Sequence, residues 1–273
     1  GLWFATILDN NGCATPKLLP VTINGPGAPL AITSSVNDFN GFGISCANAA
    51  DGIIQLTTSG GTPGYAFAWS GPNGFSSSSE DINGLAAGTY ALLLSDANGC
   101  TQNLSIDLNS PAPIGASASI TTATCGGASN GAIDLTATGG ISPSQFAWSG
   151  PNGSSASSED ISGIPAGVYD VSITDANGCP ATFFYNVNEP GAFNVSASLS
   201  SYTGGGHVSC ANSNDGAIDV TASGGTPPYD FQWSGPDGFS AGTEDISALV
   251  AGTYDLTIVD ANGCGTLAQY TLS

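Results

Sequence analysis

Apolar and polar positions alternate along short stretches of this chain, and the alternation recurs three times in one order. In residues 52–58, 131–137 and 216–222, the pairs Ile54 and Leu56, Ile133 and Leu135, and Ile218 and Val220 alternate with Gln55, Asp134 and Asp219. A period of two with one polar face predicts a half-buried strand. A Gly-Gly turn at Gly60, Gly139 and Gly224 then leads to Phe67-Ala-Trp69, Phe146-Ala-Trp148 and Phe231-Gln-Trp233. Side chains two apart on a strand share a face, so each Phe-Trp pair is expected to point into a core. Ser-Gly-Pro-Asn/Asp-Gly follows each Trp, and its Pro and Gly suit a sharp reversal. Further short strands are predicted from Ile82, Ile161 and Ile246. The last strands carry Tyr90, Leu92 and Leu94; Tyr169, Val171 and Ile173; and Tyr254, Leu256 and Ile258, and each runs into Asp-Ala-Asn-Gly-Cys. Asn-Gly between alternating runs is a strong hairpin signal.

Six or seven short strands per copy, regular turns and no helical period predict an all-β chain, a tandem array of immunoglobulin-like antiparallel β-sandwich domains. Trp3, Ala5 and Ile7, followed by Asp9-Asn-Asn-Gly-Cys13, repeat the last hairpin alone. The expected divisions are therefore 1–26, the closing hairpin of an interrupted copy, then complete repeats at 27–110, 111–190 and 191–273. Pro-bearing segments around Pro26, Pro111 and Pro190 mark the joints. Links this short between acidic modules predict an extended, semi-rigid rod.

Cysteine spacing follows the repeat. Cys46 and Cys100, Cys125 and Cys179, and Cys210 and Cys264 are each 54 positions apart, and Cys13 has no counterpart 54 positions before it. The reading is one disulfide per module, stapling one end of each sandwich, with Cys13 unpaired or bridged to an upstream segment. Closing such a loop stabilises a small domain by roughly 4 kcal/mol in the chain-entropy account. Disulfides imply an oxidising, extracellular or cell-surface setting.

Charge narrows the partners. One Lys, no Arg and 21 acidic residues give a net charge of −20. Nucleic acid and anionic lipid need Lys and Arg, so neither is an expected partner. No run of 18 apolar residues exists to span a membrane, and any export signal is expected to precede Gly1.

Candidate chemistry is sparse. Glu80-Asp81, Glu159-Asp160 and Glu244-Asp245 are adjacent carboxylates, yet neighbours on a strand face opposite ways, and three equivalent copies suggest a structural part. His207, the sole histidine, lies after Gly204-Gly-Gly206 and reads as a solvated loop residue. No catalytic residue is assigned, and the chain is not expected to be an enzyme. If Cys46 bonded Cys100, Asp51 and Asp96 would share one end of a module, with Asp215 and Asp260 repeating the arrangement and Asn130 and Asp175 standing in the second copy. Two carboxylates with loop carbonyls would suit Ca2+; the competing reading is an ion-free Asx turn, favoured because no twelve-residue calcium loop is present. Phe75 and Phe239, at the tips of the Gly-Pro turns, would stack on a surface glycan if exposed, although Ser154 replaces them in the second copy. The non-repeated loops 37–43 and 202–207 are the other expected glycan contacts. Sequons at Asn103, Asn152 and Asn194 would accept glycans.

The order Gly60-Gly61-Thr62-Pro63, Tyr65, Trp69, Ala87-Gly88-Thr89-Tyr90 and Asp96 to Cys100 resembles the SprB repeat. The third copy matches best, through Gly224 to Pro228, Tyr229, Trp233, Ala251 to Tyr254 and Asp260 to Cys264. The second departs, with Ser142 and Ser144 at the Pro and Tyr positions, and all three insert Gly-Pro after Trp-Ser. The resemblance implies a cell-surface adhesin or fibrous surface protein of gliding Bacteroidota, exported by a type IX secretion system. With the repeat pattern it predicts a structural or adhesive stalk or filament whose partners are other copies or neighbouring repeats, with a glycan- or calcium-binding adhesin as the alternative.

Overall fold

The computed structural model describes the backbone of residues 2–22 and 27–273 and the side chains of 8–13 and 27–273. The chain divides into two compact units, Gly1–Pro113 with Gly139–Ser142, and Ile114–Thr138 with Pro143–Ser273.

In the first unit, β1 (Leu2–Leu8) and β2 (Ala14–Thr22) form an antiparallel hairpin whose register breaks between Ala5 and Ile7. The first complete repeat follows as β3 (Ala31–Val36), β4 (Gly52–Ser59), β5 (Ala66–Ser70), β6 (Ser76–Ser77), β7 (Ile82–Leu85), β8 (Gly88–Ser95) and β9 (Thr101–Leu108). They form two antiparallel sheets, β3-β4-β7 and β6-β5-β8-β9. In the second unit the same seven-strand pattern occurs twice. The second repeat holds β10 (Gly115–Thr121), β11 (Gly131–Thr138), β12 (Gln145–Ser149), β13 (Ser155–Ala156), β14 (Ile161–Ile164), β15 (Gly167–Thr174) and β16 (Pro180–Val187). The third holds β17 (Asn194–Leu199), β18 (Gly216–Ser223), β19 (Tyr229–Ser234), β20 (Ser240–Ala241), β21 (Ile246–Leu249), β22 (Gly252–Asp260) and β23 (Gly265–Leu272).

Each repeat buries its own core between its two sheets. Ile54, Leu56, Trp69, Tyr90, Leu92 and Leu94 fill the first, with equivalents through Trp148 and Tyr169 in the second and Trp233 and Tyr254 in the third. The alternation dictates this, because strands such as β4 and β8 bury every second residue. The polar atoms of the core Trp side chains and of Tyr90, Tyr169 and Tyr254 find partners as burial requires, whereas the buried Tyr185 hydroxyl has none. Each Trp Nε1 donates to a carbonyl ten residues on: Trp69 to Ser79, Trp148 to Ser158 and Trp233 to Thr243, all at 3.0 Å. Tyr90, Tyr169 and Tyr254 donate their hydroxyls four residues back, to the carbonyls of Ala86, Pro165 and Val250. This corner at the start of the penultimate strand, with a Trp on the third, makes the sandwich immunoglobulin-like. One difference from constant-type immunoglobulin domains is that the two-residue strand β6 sits beside β5, on the sheet of β8 and β9.

The adjacent acids have a structural role. β7 pairs with β4 only from Gly52 to Ile54. Beyond that point the Asp81 carboxylate accepts the Leu56 N–H (2.9 Å), as Asp160 does from Leu135 (2.8 Å) and Asp245 from Val220 (2.9 Å). Glu159 adds a bond from Ala137 N–H, and Glu80 one from the Thr58 hydroxyl. A charged side chain thus continues the ladder where the neighbouring strand has ended, which blunts an edge open to foreign strands.

Candidate functional site

Strand direction gives every repeat two distinct ends. The chain enters where Pro29 and Leu30 meet the Gly60-Gly61 turn, since Gly61 N–H donates to the Ala28 carbonyl (2.9 Å). It leaves at the other end of β4, where Leu108 packs at Gly43 and Gly52 and Ile44 N–H donates to the Asn109 carbonyl (3.2 Å). Asp51 and Cys46 belong to this exit end. Asp96 belongs to the entry end, because its Oδ2 accepts the Thr62 N–H at 2.9 Å. The eight residues of β4 hold the two ends roughly 26 Å apart.

This separation corrects the expected disulfides. A disulfide needs Cα atoms about 4.4–6.8 Å apart, which Cys46 and Cys100 cannot reach from opposite ends. Cys100 and Cys210 are exposed free thiols, as is Cys13. Cys125 bonds Cys264 of the third repeat, 139 positions on, with Cα atoms 5.7 Å apart. The pairs Cys46–Cys100, Cys125–Cys179 and Cys210–Cys264 therefore do not form; Cys46 and Cys179 are themselves disulfide-bonded. At the joint between the second and third repeats, the exit end of one meets the entry end of the next, and the bond closes across it.

Both sides of that joint are built by short-range hydrogen bonds. On the exit side, the residue before the cysteine is latched by Asn130, whose Oδ1 accepts the Thr124 N–H (3.0 Å) and whose Nδ2 donates to Thr124 Oγ1 (2.6 Å). Asp51 and Asp215 latch Ser45 and Ser209 in the same way, each through the amide, and Asp51 takes the Ser45 hydroxyl as well. On the entry side, Asp260 Oδ1 accepts the Asn262 and Cys264 amides, both at 2.9 Å, and Oδ2 accepts Thr226 N–H at 2.7 Å. Asn262 Nδ2 then reaches across to the Thr124 carbonyl (3.0 Å) while also bonding Thr226 Oγ1 (3.0 Å). Glu189, in the linker, accepts the Gly127 N–H at 2.6 Å. Gly224 allows the linker to lie close: it has φ +77°, and a Cβ there would stand 1.9 Å from the Ala192 carbonyl oxygen.

The calcium arrangement is corrected by the same geometry. Asp51 and Asp96, and likewise Asp215 and Asp260, sit at opposite ends of their repeats and form no shared cage. Asp175 makes the same turn as Asp260, accepting the Asn177 and Cys179 amides at 2.9 Å. Among the described residues, no three His, Cys, Asp or Glu side chains converge. The carboxylates are occupied by amides instead, and their acidities reflect it. Hydrogen bonds from Thr62 and Cys100 hold the Asp96 pKa below its usual value. Burial raises that of Asp260, but the amides of Cys264, Thr226 and Asn262 outweigh it and leave it lowered. The Ser209 hydroxyl and amide lower Asp215. A depressed folded pKa gives stability that is complete above the unfolded value near ~3.9 and is lost as pH falls through the folded value. Melting temperature should therefore hold steady down to about pH 4 and drop below it. In Asp260→Asn the third repeat should melt lower at neutral pH and lose less on acidification; an unchanged acid profile would contradict this account.

Other candidates are also placed. Phe75 and Phe239 are half-buried, edge-on to Tyr90 and Tyr254 at 5.3 and 5.4 Å, so they are core rims and not exposed stacking platforms. Where Ser154 replaces them, a cavity of about 320 Å3 opens beside Trp148, Ile161 and Tyr169. His207 is tied to Ser273, whose N–H donates to its Nδ1 at 3.1 Å. Loops 37–43 and 202–207 both lie at exit ends: Asn37 Oδ1 accepts the Ile53 N–H (2.8 Å), and Tyr202 donates its hydroxyl to the Asp215 carbonyl (2.6 Å). Asn103, Asn152 and Asn194 are all exposed. No helix among the described residues is long and apolar enough to cross a membrane.

Comparison with known proteins adds to this geometry. The SprB repeat is matched at residues 44–74, 117–153 and 207–238, once in each sandwich. No curated protein matches it. Similar solved structures include a tetra-tandem repeat in the extending region of a large adhesion protein, 12% identical, covering 98% of this chain and 80% of that one, TM-score 0.31. Dpr2 Ig1-Ig2 in complex with DIP-Theta Ig1-Ig3 is 13% identical, with coverages of 83% and 94% and a TM-score of 0.29. The N-terminal eight Ig domains of Down Syndrome Cell Adhesion Molecule are 11% identical, with coverages of 83% and 34% and a TM-score of 0.32. The immunoglobulin-like assignment rests on strand order and the tyrosine corner, not on these alignments.

Proposed function

From a chain that matches the SprB repeat three times, we propose a structural and adhesive role outside the cell, in which bridged repeats form a load-bearing stalk and no chemistry is performed. The observation that carries this reading is the Cys125–Cys264 bond across a joint. A bond inside one module would stabilise that module; a bond between modules limits how far two of them can be pulled apart. Tandem sandwiches, an oxidised joint and carboxylates used on backbone amides suit a spacer that holds an adhesive surface away from its anchor. The low content of Lys and Arg, one residue in 273, also leaves trypsin-like proteases little to cut.

Single-molecule pulling between the two chain ends tests this. The 139 positions spanned by the bond are shielded from force while it is intact. At about 3.4 Å per residue, reductant should release roughly 47 nm of additional extension. Full extension without reductant, or collapse of the repeats at negligible load, would contradict a load-bearing role.

A further inference from the structure

The formed bridge has two halves, and this chain presents free cysteines in both: Cys210 in the exit half, Cys100 in the entry half, and Cys13 in a further turn of the entry kind, where Asp9 accepts the Asn11 and Cys13 amides. The exit half is a latched cysteine: Asn130 holds Thr124, and the Cys125 carbonyl accepts the Ala128 N–H at 3.0 Å. Cys210 sits in the same turn, with Asp215 holding Ser209 and the Cys210 carbonyl accepting the Ser213 N–H at 2.9 Å. The entry half is the Asp-Ala-Asn-Gly-Cys turn. At Cys100 that turn repeats the Cys264 turn bond for bond: Asp96 accepts the Asn98 and Cys100 amides at 3.0 and 2.8 Å, and Asn98 Nδ2 donates to Thr62 Oγ1 at 2.7 Å. Asn98 keeps one N–H unassigned by that bond, the counterpart of the one Asn262 gives to the Thr124 carbonyl. Both thiols are exposed and free. Apart from the linker contact of Glu189, the hydrogen bonds that position the Cys125–Cys264 bond are thus already in place at Cys210 and Cys100.

We propose that Cys210 of one copy of this chain forms a disulfide with Cys100 of a second copy, with Asn98 donating to the Ser209 carbonyl, so that copies join covalently exit end to entry end. This rests on the stalk reading and adds the partner. The chemistry is thiol–disulfide exchange with a small-molecule disulfide such as oxidised glutathione. The Cys210 thiolate attacks it, forming a mixed disulfide and releasing one glutathione thiolate. Cys100 of the second copy then attacks the Cys210 sulfur and displaces the other. Two protein thiols lose two electrons, and the small disulfide gains them. Each copy carries a net charge of −20, so encounter is expected to quicken as salt screens their repulsion.

The test mixes 14N and 15N copies of this 273-residue chain in a glutathione redox buffer of high ionic strength and maps unreduced peptides. The expected result is a ladder of linked copies with a mixed-isotope Cys210–Cys100 peptide. Cys210→Ser and Cys100→Ser should each abolish it, and Cys13→Ser should leave it intact. Asn98→Ala should slow it about fivefold, the equivalent of one hydrogen bond of ~1 kcal/mol. Cys210 capped only by glutathione, or linked only to Cys210 or Cys13, would overturn the proposal. The same digest reports Cys125–Cys264: its absence would remove the premise of the stalk, whereas its presence without the Cys210 adduct would remove this proposal alone.

Discussion

Trp233→Ala should cost the third repeat about 3–5 kcal/mol, the usual loss for emptying a large aromatic from a packed core. The indole is 1% exposed, lies 6.0 Å from the Tyr270 ring and donates to the Thr243 carbonyl. Truncation opens a void between the sheets and leaves that carbonyl without its donor. Small sandwiches have only about 5–15 kcal/mol of net stability, so the change consumes much of it. Each repeat has its own core, so the loss should be local. Hydrogen exchange should show protection falling in β18, β19 and β22, with β11, β12 and β15 unaffected. A uniform loss across both repeats of the second unit would mean that they fold as one cooperative body.

Gly224→Ala should be the most damaging small substitution at the joint. The residue has φ +77°, a conformation that costs an L-residue roughly 1–2 kcal/mol. Its new Cβ would also overlap the Ala192 carbonyl oxygen, so the linker must move. A loss of at least about 2 kcal/mol is expected, together with slower closure of the Cys125–Cys264 bond. Gly263→Ala is the control: φ is +81°, but nothing lies within 4 Å of the new methyl. Its cost should be the conformational part alone, about 1 kcal/mol. Equal thermal shifts for the two variants would show that the close approach of the linker does not matter.

Much of the fold was legible because its signals are local. Alternation at Ile54 and Leu56, the Phe-Trp pairs and the Asn-Gly turns each specify a strand or hairpin without reference to the rest of the chain. The Glu-Asp pairs were recognisable as structural from their threefold recurrence, though not as caps on an unpaired strand edge. The disulfides were misread for a specific reason. Spacing of 54 positions is inherited by any pairing rule in a regular array, so it cannot separate bonds within a copy from bonds between copies. Parity of strands could have done so. Counting four strands between Cys46 and Cys100 puts both at one end of the module. The two-residue strand β6 adds a partial return, and β7 then runs back toward the exit end, leaving an odd number of full crossings and opposite ends. Two serines carry little hydrophobic signal, so that strand was invisible to a periodicity argument. Phe75 was misplaced because a turn tip reads as exposed, whereas the Gly-Pro turn folds it back onto Tyr90.

The Cys125–Cys264 bond crosses from one repeat to the next. Peptide mapping of the full, unreduced chain, purified without reductant, tests this most directly. It should yield one linked peptide containing Cys125 and Cys264, with no bond from Cys100 or Cys210 to another cysteine of the same copy. Recovery of Cys125 linked to Cys179, with Cys210 linked to Cys264, would contradict it.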